Sequence, residues 1–181
     1  ANQEGQGNLS GAVLLFKDKQ NVSNQLVKQF QLEKRKVIEV ELGSSFVQQG
    51  ENHYQVGPQA SDYKQLLQAI ENRQISQVVH LASINENKSN KLSQLKEAQN
   101  RGVKALFRFA KAYSQWGQDK DWELVLISDY AHQVTGSEQA LKPENAPLYA
   151  LGKVIAHEYS TINCKYLDID SSIDRRTISS W

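Results

Sequence analysis

The chain has 181 residues, of which 39% are hydrophobic and 23% are charged, and its formal net charge is +1. This length and composition predict one soluble globular domain with a substantial core. The small net charge gives no support to a nucleic-acid or membrane-surface partner. No apolar run approaches the roughly 18 residues that a membrane span needs. We therefore expect no nucleic-acid or membrane partner. The single cysteine excludes a disulfide framework, which predicts a cytoplasmic protein.

Cys164 is the single cysteine, so no intrachain disulfide can form. We interpret it as a small buried residue of an apolar strand. The sequence has no methionine and begins with a polar stretch, which predicts a segment of a longer protein. We expect residues 1–10 to be a disordered or linker segment with an expression-derived first residue. The Asn- and Gln-rich composition is associated with AT-rich bacterial genomes.

Strands and helices alternate along the chain. Apolar runs predict strands at Ala12–Phe16, Lys36–Leu42, His53–Val56, Ser76–Ala82, Trp122–Ser128 and Cys164–Asp168. Helical spacing of apolar residues predicts helices at Gln20–Glu33, Ser61–Asn72 with Ser61 as N-cap, Lys91–Gln115 and Ala146–Ser160. A hairpin is expected near Phe46 and Val47, polar loops at 85–90 and 129–147, and the start of another helix after residue 171.

Six strands separated mostly by helices predict an α/β fold. We expect a truncated Rossmann-like, doubly wound parallel sheet with helices on both faces. The continuous apolar strands suit a sheet that is buried on both sides. The predicted strand order is 3-2-1-4-5-6, with right-handed crossovers.

The turn after the first strand lacks the glycines that a dinucleotide-binding fold needs. No glycine occurs between Gly11 and Gly43, whereas a dinucleotide loop uses glycines for its tight turn and for close approach of the pyrophosphate. Lys17 and Lys19 offer charge, but we interpret them as part of a solvated turn, because lysines do not replace that close approach. The sequence thus predicts no cofactor-binding residue in this chain.

The most enzyme-like pattern is Tyr149 followed four residues later by Lys153, one turn apart on a predicted helix. A nearby ammonium can lower the pKa of a phenol, so that tyrosine exchanges a proton with a carbonyl or an alcohol. Short-chain dehydrogenases use this arrangement with a serine about a dozen residues earlier. That window holds Thr135, Gly136 and Ser137, while Ser128 lies 21 residues before Tyr149.

Other titratable residues have structural interpretations. We interpret His80, within an apolar strand, as a core histidine with its hydrogen bonds satisfied. The remaining histidines have no metal-ligand spacing with His80 or Cys164, so no metal site is predicted; they are His53, His132 and His157. Asp168 and Asp170 end the last strand, where carboxylates more often cap a turn or helix than act in catalysis.

Four segments carry a resemblance to a known family. They are Val78–Leu81, the strand Leu124–Ser128 with Val134–Glu138, the helix Ala146–Glu158 and the closing strand Cys164–Asp170. The chain resembles, from Gly11 to Asp170, the structural subdomain of the ketoreductase in modular polyketide synthases. The resemblance implies residues 11–170 as this short-chain dehydrogenase-like subdomain and 171–181 as the start of a linker to a catalytic subdomain.

The resemblance also implies a division of labour. The family's first half binds no cofactor and stabilises a second half, which binds NADPH and reduces the β-keto thioester on an acyl carrier protein. On this interpretation Tyr149 and Lys153 lie on a degenerate active-site helix, where the family usually has a non-tyrosine and an arginine. The fragment then has no catalytic residue, and its partners are the downstream catalytic half and, in the parent, the carrier protein.

Two alternatives stay open at this point. One is a stand-alone short-chain NAD(P)H-dependent reductase that uses Tyr149 and Lys153. The other is a module that docks a carrier protein. The scaffold interpretation predicts an exposed apolar patch larger than is usual for a monomer, which leaves self-association of the isolated fragment open.

Overall fold

The computed structural model describes residues 11–84, 91–116, 121–132 and 141–169. Within these ranges, seven strands form one sheet: β1 (Ala12–Phe16), β2 (Val37–Leu42), β3 (Val47–Gln48), β4 (His53–Val56), β5 (Ile75–His80), β6 (Trp122–Asp129) and β7 (Ile162–Ile169). The helices are α1 (Val22–Leu32), α2 (Ala60–Ala69), α3 (Leu92–Arg101), α4 (Val103–Trp116) and α5 (Ala146–Glu158). A 3₁₀ turn, Pro143–Asn145, leads into α5.

The sheet confirms the predicted α/β architecture and strand order. Its order is β3-β4-β2-β1-β5-β6-β7, and without β3 this is the expected doubly wound arrangement. Neighbouring strands are parallel except β3 and β4, which form the antiparallel hairpin expected near Val47. The two-residue β3 forms one edge of the sheet and the eight-residue β7 forms the other.

Helices cover both faces of the sheet, but unequally. On one face α1 packs through Val22 and Val27 against a cluster that includes Val13, Leu15 and Val79. On the other face α2, α4 and α5 contribute to a larger core around β1, β5 and β6. The alternation of side chains along each strand explains this division, because successive residues point to opposite faces.

The helix bounds differ from the sequence-based expectation, most of all in the third predicted helix and at the beginning of α2. The single helix predicted over Lys91–Gln115 is wrong: it is two helices, because Gly102 has φ −84° and ψ −104° and ends α3. Gly102 is closely packed, since a Cβ there would lie 3.4 Å from the Cβ of Ser83. Ser61 is not an N-cap, because α2 already begins at Ala60. Asp62 instead accepts the amide of Gln59 at 3.1 Å.

Candidate functional site

The first candidate site is the carboxyl edge of the sheet between β1 and β5. The chain continues from β1 to β2 on one side, while β5 and β6 extend the sheet on the other. Ligands of doubly wound folds bind at such a reversal of strand order, with a phosphate at the start of the helix that follows the first strand. In this chain the corresponding turn is residues 17–21, between β1 and α1.

The beginning of α1 is capped by a carboxylate of the same turn. Asp18 accepts hydrogen bonds from the amides of Gln20 at 2.7 Å, Val22 at 3.0 Å and Ser23 at 2.8 Å. Asn21 adopts the left-handed conformation with φ 63°, which asparagine tolerates better than most residues. Asn21 therefore supplies the backbone conformation for which this turn has no glycine.

Both lysines of the turn are held by carboxylates, so the expectation of a solvated turn is wrong for Lys17. Its ammonium lies 2.9 Å from Glu39 and 3.6 Å from Glu41 of β2, and 19% of its side chain is exposed. Lys19, which is about half exposed, pairs with Glu97 of α3 at 2.6 Å. These ion pairs connect the turn to β2 on one side and to α3 on the other.

The residues at this edge do not fit a dinucleotide. A pyrophosphate would need the amides that Asp18 already occupies, and a ribose would need an acidic residue about 20 positions further on. Glu39 is at that distance, but it is engaged by Lys17 at 2.9 Å and by His53 Nε2 at 3.0 Å. The amides at the start of α1 and the carboxylate of Glu39 are thus already engaged by residues of this chain.

His80 lies in the core, as predicted, but it is not satisfied. It is fully buried at the end of β5, with its ring 5.5 Å from that of Phe16. Neither ring nitrogen has a hydrogen-bond partner among the described residues. Burial, reinforced by the nearby Arg101 guanidinium, lowers the pKa of His80 to about 3. A catalytic proton transfer near neutral pH does not suit such a group.

The second candidate site is an open groove between α5 and the edge strand β7. Its volume is about 580 Å³, and its lining residues are His132, Tyr149, Lys153, Ala156, Cys164 and Tyr166. Tyr149 and Lys153 share one face of α5, as predicted from their spacing. The Lys153 ammonium lies over the face of the Tyr149 ring, 4.4 Å from its centroid. This cation–π contact places the charge on the ring face.

Ser128 is bonded to residues of β7. Its hydroxyl lies 2.6 Å from the hydroxyl of Tyr166 and donates to Asp168 Oδ1 at 2.9 Å. Asp168 also accepts the amides of Ala131 at 3.1 Å and His132 at 2.9 Å. It therefore caps the turn after β6, in line with the structural interpretation of this carboxylate.

A short-chain dehydrogenase has a lysine and a serine beside one tyrosine, whereas in this groove they lie beside two different tyrosines. Tyr149 has the lysine and Tyr166 has the serine, and the two rings lie 4.8 Å apart. Burial, together with nearby carboxylates, raises the pKa of Tyr166. Proton transfer from tyrosine to a carbonyl is aided by a lowered pKa, so this arrangement disfavours Tyr166 as an acid.

A buried ion pair holds the beginning of α5 against the end of β6. Lys142 Nζ lies 2.6 Å from Asp129 Oδ2, and both side chains are almost fully buried. Asn145 donates to the carbonyl oxygen of Asp129 at 2.9 Å and to its carboxylate at 3.2 Å. Further along α5, Gly152 allows close packing, since a Cβ there would lie 2.5 Å from Leu126 Cδ1.

The remaining predicted residues have simpler outcomes. Cys164 lines the groove and is only partly buried, so the expectation of a buried residue is wrong; its partial burial still raises the pKa of the thiol to about 11. No group of three metal-ligating side chains occurs among the described residues. The searched part of the chain has no helix with the length and apolarity of a membrane span. The serine window 135–137, Asp170 and the segments 1–10, 85–90 and 171–181 lie outside the described residues.

Sequence reasoning missed Asp18 and Tyr166. The alternation along β7 could have indicated Tyr166, because it puts Cys164, Tyr166 and Asp168 on one face of the strand. For Asp18 the signal is weaker: an aspartate four residues before the first helical residue lies outside the usual N-cap position.

Comparison with known proteins gives a family and a fold. A family model described as "Beta-ketoacyl synthase-like, N-terminal" matches residues 11–180. No curated protein sequence matches the chain significantly.

Solved structures extend the comparison. A multidomain structure of a keto acid-selecting NRPS module, with adenylation, ketoreductase and pseudo Asub parts, is 24% identical with a TM-score of 0.80 and covers 93% of this chain. An N-terminal ketoreductase from the macrolactin assembly line is 15% identical with a TM-score of 0.78 over 93% of the chain. The chain spans only 15% and 35% of those two chains.

A short-chain dehydrogenase/reductase from Brucella ovis, in complex with a partially ordered NAD, is similar over 93% of this chain and 89% of its own. It is 14% identical, with a TM-score of 0.65. These likenesses confirm the expected short-chain dehydrogenase-like fold.

Proposed function

Because the chain belongs to the beta-ketoacyl synthase-like N-terminal family, we propose that it is a non-catalytic structural subdomain of a polyketide-type ketoreductase. It stabilises a catalytic half that binds NADPH and reduces β-keto thioesters on an acyl carrier protein. The observation that carries this proposal is the crevice at the β1–α1 turn, where Asp18 takes the amides that a pyrophosphate would need.

The greater length of the similar ketoreductase chain supports the same assignment. The chain spans 35% of the macrolactin ketoreductase with a TM-score of 0.78, so a ketoreductase of that kind has ample length for a separate catalytic half. The groove at Tyr149 gives little support to the alternative of a stand-alone reductase, because the hydroxyl of Ser128 is bonded to Tyr166 and Asp168.

The helices α4 and α5 provide a surface on which such a half can dock. Phe107 of α4 is 55% exposed and Val154 of α5 is 54% exposed, and the two helices are in contact. We refer to Phe107 and Val154 as the α4–α5 surface. We propose that the catalytic half covers these two side chains, because apolar surface on a folded domain can mark a site of protein–protein contact.

Co-expression with the following catalytic segment, supplied as a separate polypeptide, tests the proposal. Wild-type chain should co-purify with that segment and support its NADPH-dependent reduction of a β-keto thioester. The double variant F107E/V154E should lose both, since two carboxylates cannot be buried without partners. L32E is the matched control, because Leu32 is also exposed and apolar, at 79%, but lies on α1.

Titration of the isolated chain with NADPH separates the scaffold from a stand-alone reductase. We expect no saturable binding. Binding in the micromolar range, with activity that Y149F abolishes, would refute the scaffold proposal and assign the reaction to Tyr149 and Lys153.

A further inference from the structure

Asp18 binds the start of α1, the part of a dinucleotide-binding fold that usually holds a phosphate. Its two carboxylate oxygens accept three backbone amides at 2.7–3.0 Å at the start of α1. That end of a helix carries the positive pole of the helix dipole and attracts anions. We infer that the carboxylate of Asp18 takes over the role of a bound phosphate as the anion at the start of α1.

The cations around Asp18 already interact with carboxylates, and one of them, the Arg101 guanidinium, interacts electrostatically with Asp18 itself and with Glu97. Lys17 is held by Glu39 and Glu41, and Lys19 is held by Glu97. The amide of Lys19 also donates to the carbonyl oxygen of Ile84, at 3.4 Å. An incoming phosphate would therefore have to compete with Asp18, Glu39, Glu41 and Glu97 for these cations.

The consequence is that the start of α1 is stable without a nucleotide. In a dinucleotide-binding relative the bound phosphate satisfies amides that the free protein leaves to water. Here Asp18 itself accepts these amides, so the stability of the chain does not vary with nucleotide concentration. This inference rests on the proposed function, which assigns nucleotide binding to the catalytic half of the ketoreductase.

Thermal unfolding with inorganic pyrophosphate tests the inference. At constant ionic strength, millimolar pyrophosphate should leave the Tm of the wild-type chain unchanged. D18A should lower the Tm by about 2–4 °C, the usual effect of a lost helix cap in a chain of this size. Pyrophosphate should then recover part of that loss, because the three amides become free. D121A is the matched control, since Asp121 is exposed and lies just before β6.

D18S gives a second measurement if D18A does not fold, because serine is a good helix cap without a charge. It should also gain a pyrophosphate response. If neither variant responds more than D121A, Asp18 is only a cap and the inference is wrong. A pyrophosphate response of the wild-type chain would overturn it as well. Failure of the scaffold proposal would be seen separately, in co-purification with the catalytic segment.

Discussion

At the scale of single residues, buried polar groups differ in how well they are satisfied. The partly buried Asp18 accepts three backbone amides, and the partly buried Asp168 accepts two backbone amides and the hydroxyl of Ser128. His80 is fully buried without a partner for either ring nitrogen among the described residues. Such a group destabilises the fold by the cost of its desolvation.

His80 makes a testable contribution to the pH dependence of stability. Its pKa is about 3 in the folded chain, below the roughly 6.5 of an unfolded histidine. The unfolded state therefore binds a proton more readily. Stability is retained above pH 6.5 and falls as the pH drops from there towards 3, by up to about 1.4 kcal/mol per pH unit.

H80L should remove this component, which urea unfolding at pH 7.5, 6.0 and 5.0 would measure. At pH 7.5 the variant should be at least as stable as the wild-type chain, because it buries no unpaired nitrogen. H157Q is the control, since the side chain of His157 is 89% exposed. An unchanged slope between pH 6.0 and 5.0 in H80L would contradict the role given to His80.

At the scale of elements, α5 is held against β6 at its beginning and at its middle. The buried pair of Asp129 and Lys142 fixes the turn before the helix, and Gly152 brings its middle close to β6. The groove at Tyr149 depends on this placement, because Tyr149 is on the first turn of α5 and Tyr166 is on β7.

Breaking the Asp129–Lys142 pair should be costly. K142M leaves a buried carboxylate without its cation, and D129N leaves a buried ammonium without its anion, so each should lower the free energy of unfolding by about 3–5 kcal/mol. The double variant D129N/K142M should cost less than the sum of the two. Chemical denaturation gives all three values.

K165M is the control for this pair. Lys165 pairs with Glu123 at the same distance, 2.6 Å, but its side chain is 62% exposed. Its loss should cost at most about 1 kcal/mol. Equal effects of K142M and K165M would show that burial does not strengthen the Asp129–Lys142 contact.

The elements were predictable where the local pattern was strong. Ala12–Phe16 and His53–Val56 have the bounds expected from their apolar residues. The break at Gly102 was not predictable, because its backbone conformation goes with a contact to Ser83, which is distant along the chain. Likewise, spacing predicts that Tyr149 and Lys153 share a face, but the position of the ammonium over the ring depends on the packing of the groove.

At the scale of the whole molecule, the unequal covering of the sheet matters for association. α4 and α5 lie on the face with three helices, and each exposes a large apolar side chain. A partner that covers these helices would extend that side of the molecule and leave α1 free.

The isolated chain should therefore self-associate weakly through the α4–α5 surface. Sedimentation velocity at increasing concentration should show a reversible rise in the mean sedimentation coefficient. F107E/V154E should reduce this rise, and L32E should not. If all three chains sediment alike at every concentration, the α4–α5 surface has no tendency to self-associate.

The two edge strands of the sheet differ in how readily another chain can pair with them. β3 is a two-residue strand, and short edge strands offer few free backbone groups to another chain. β7 has eight residues, and among the described strands it pairs only with β6. Its outward row includes Leu167, which is 38% exposed. Strand-to-strand growth of this protein, in the manner of amyloid or domain-swapped assemblies, is therefore directed to one side of the molecule.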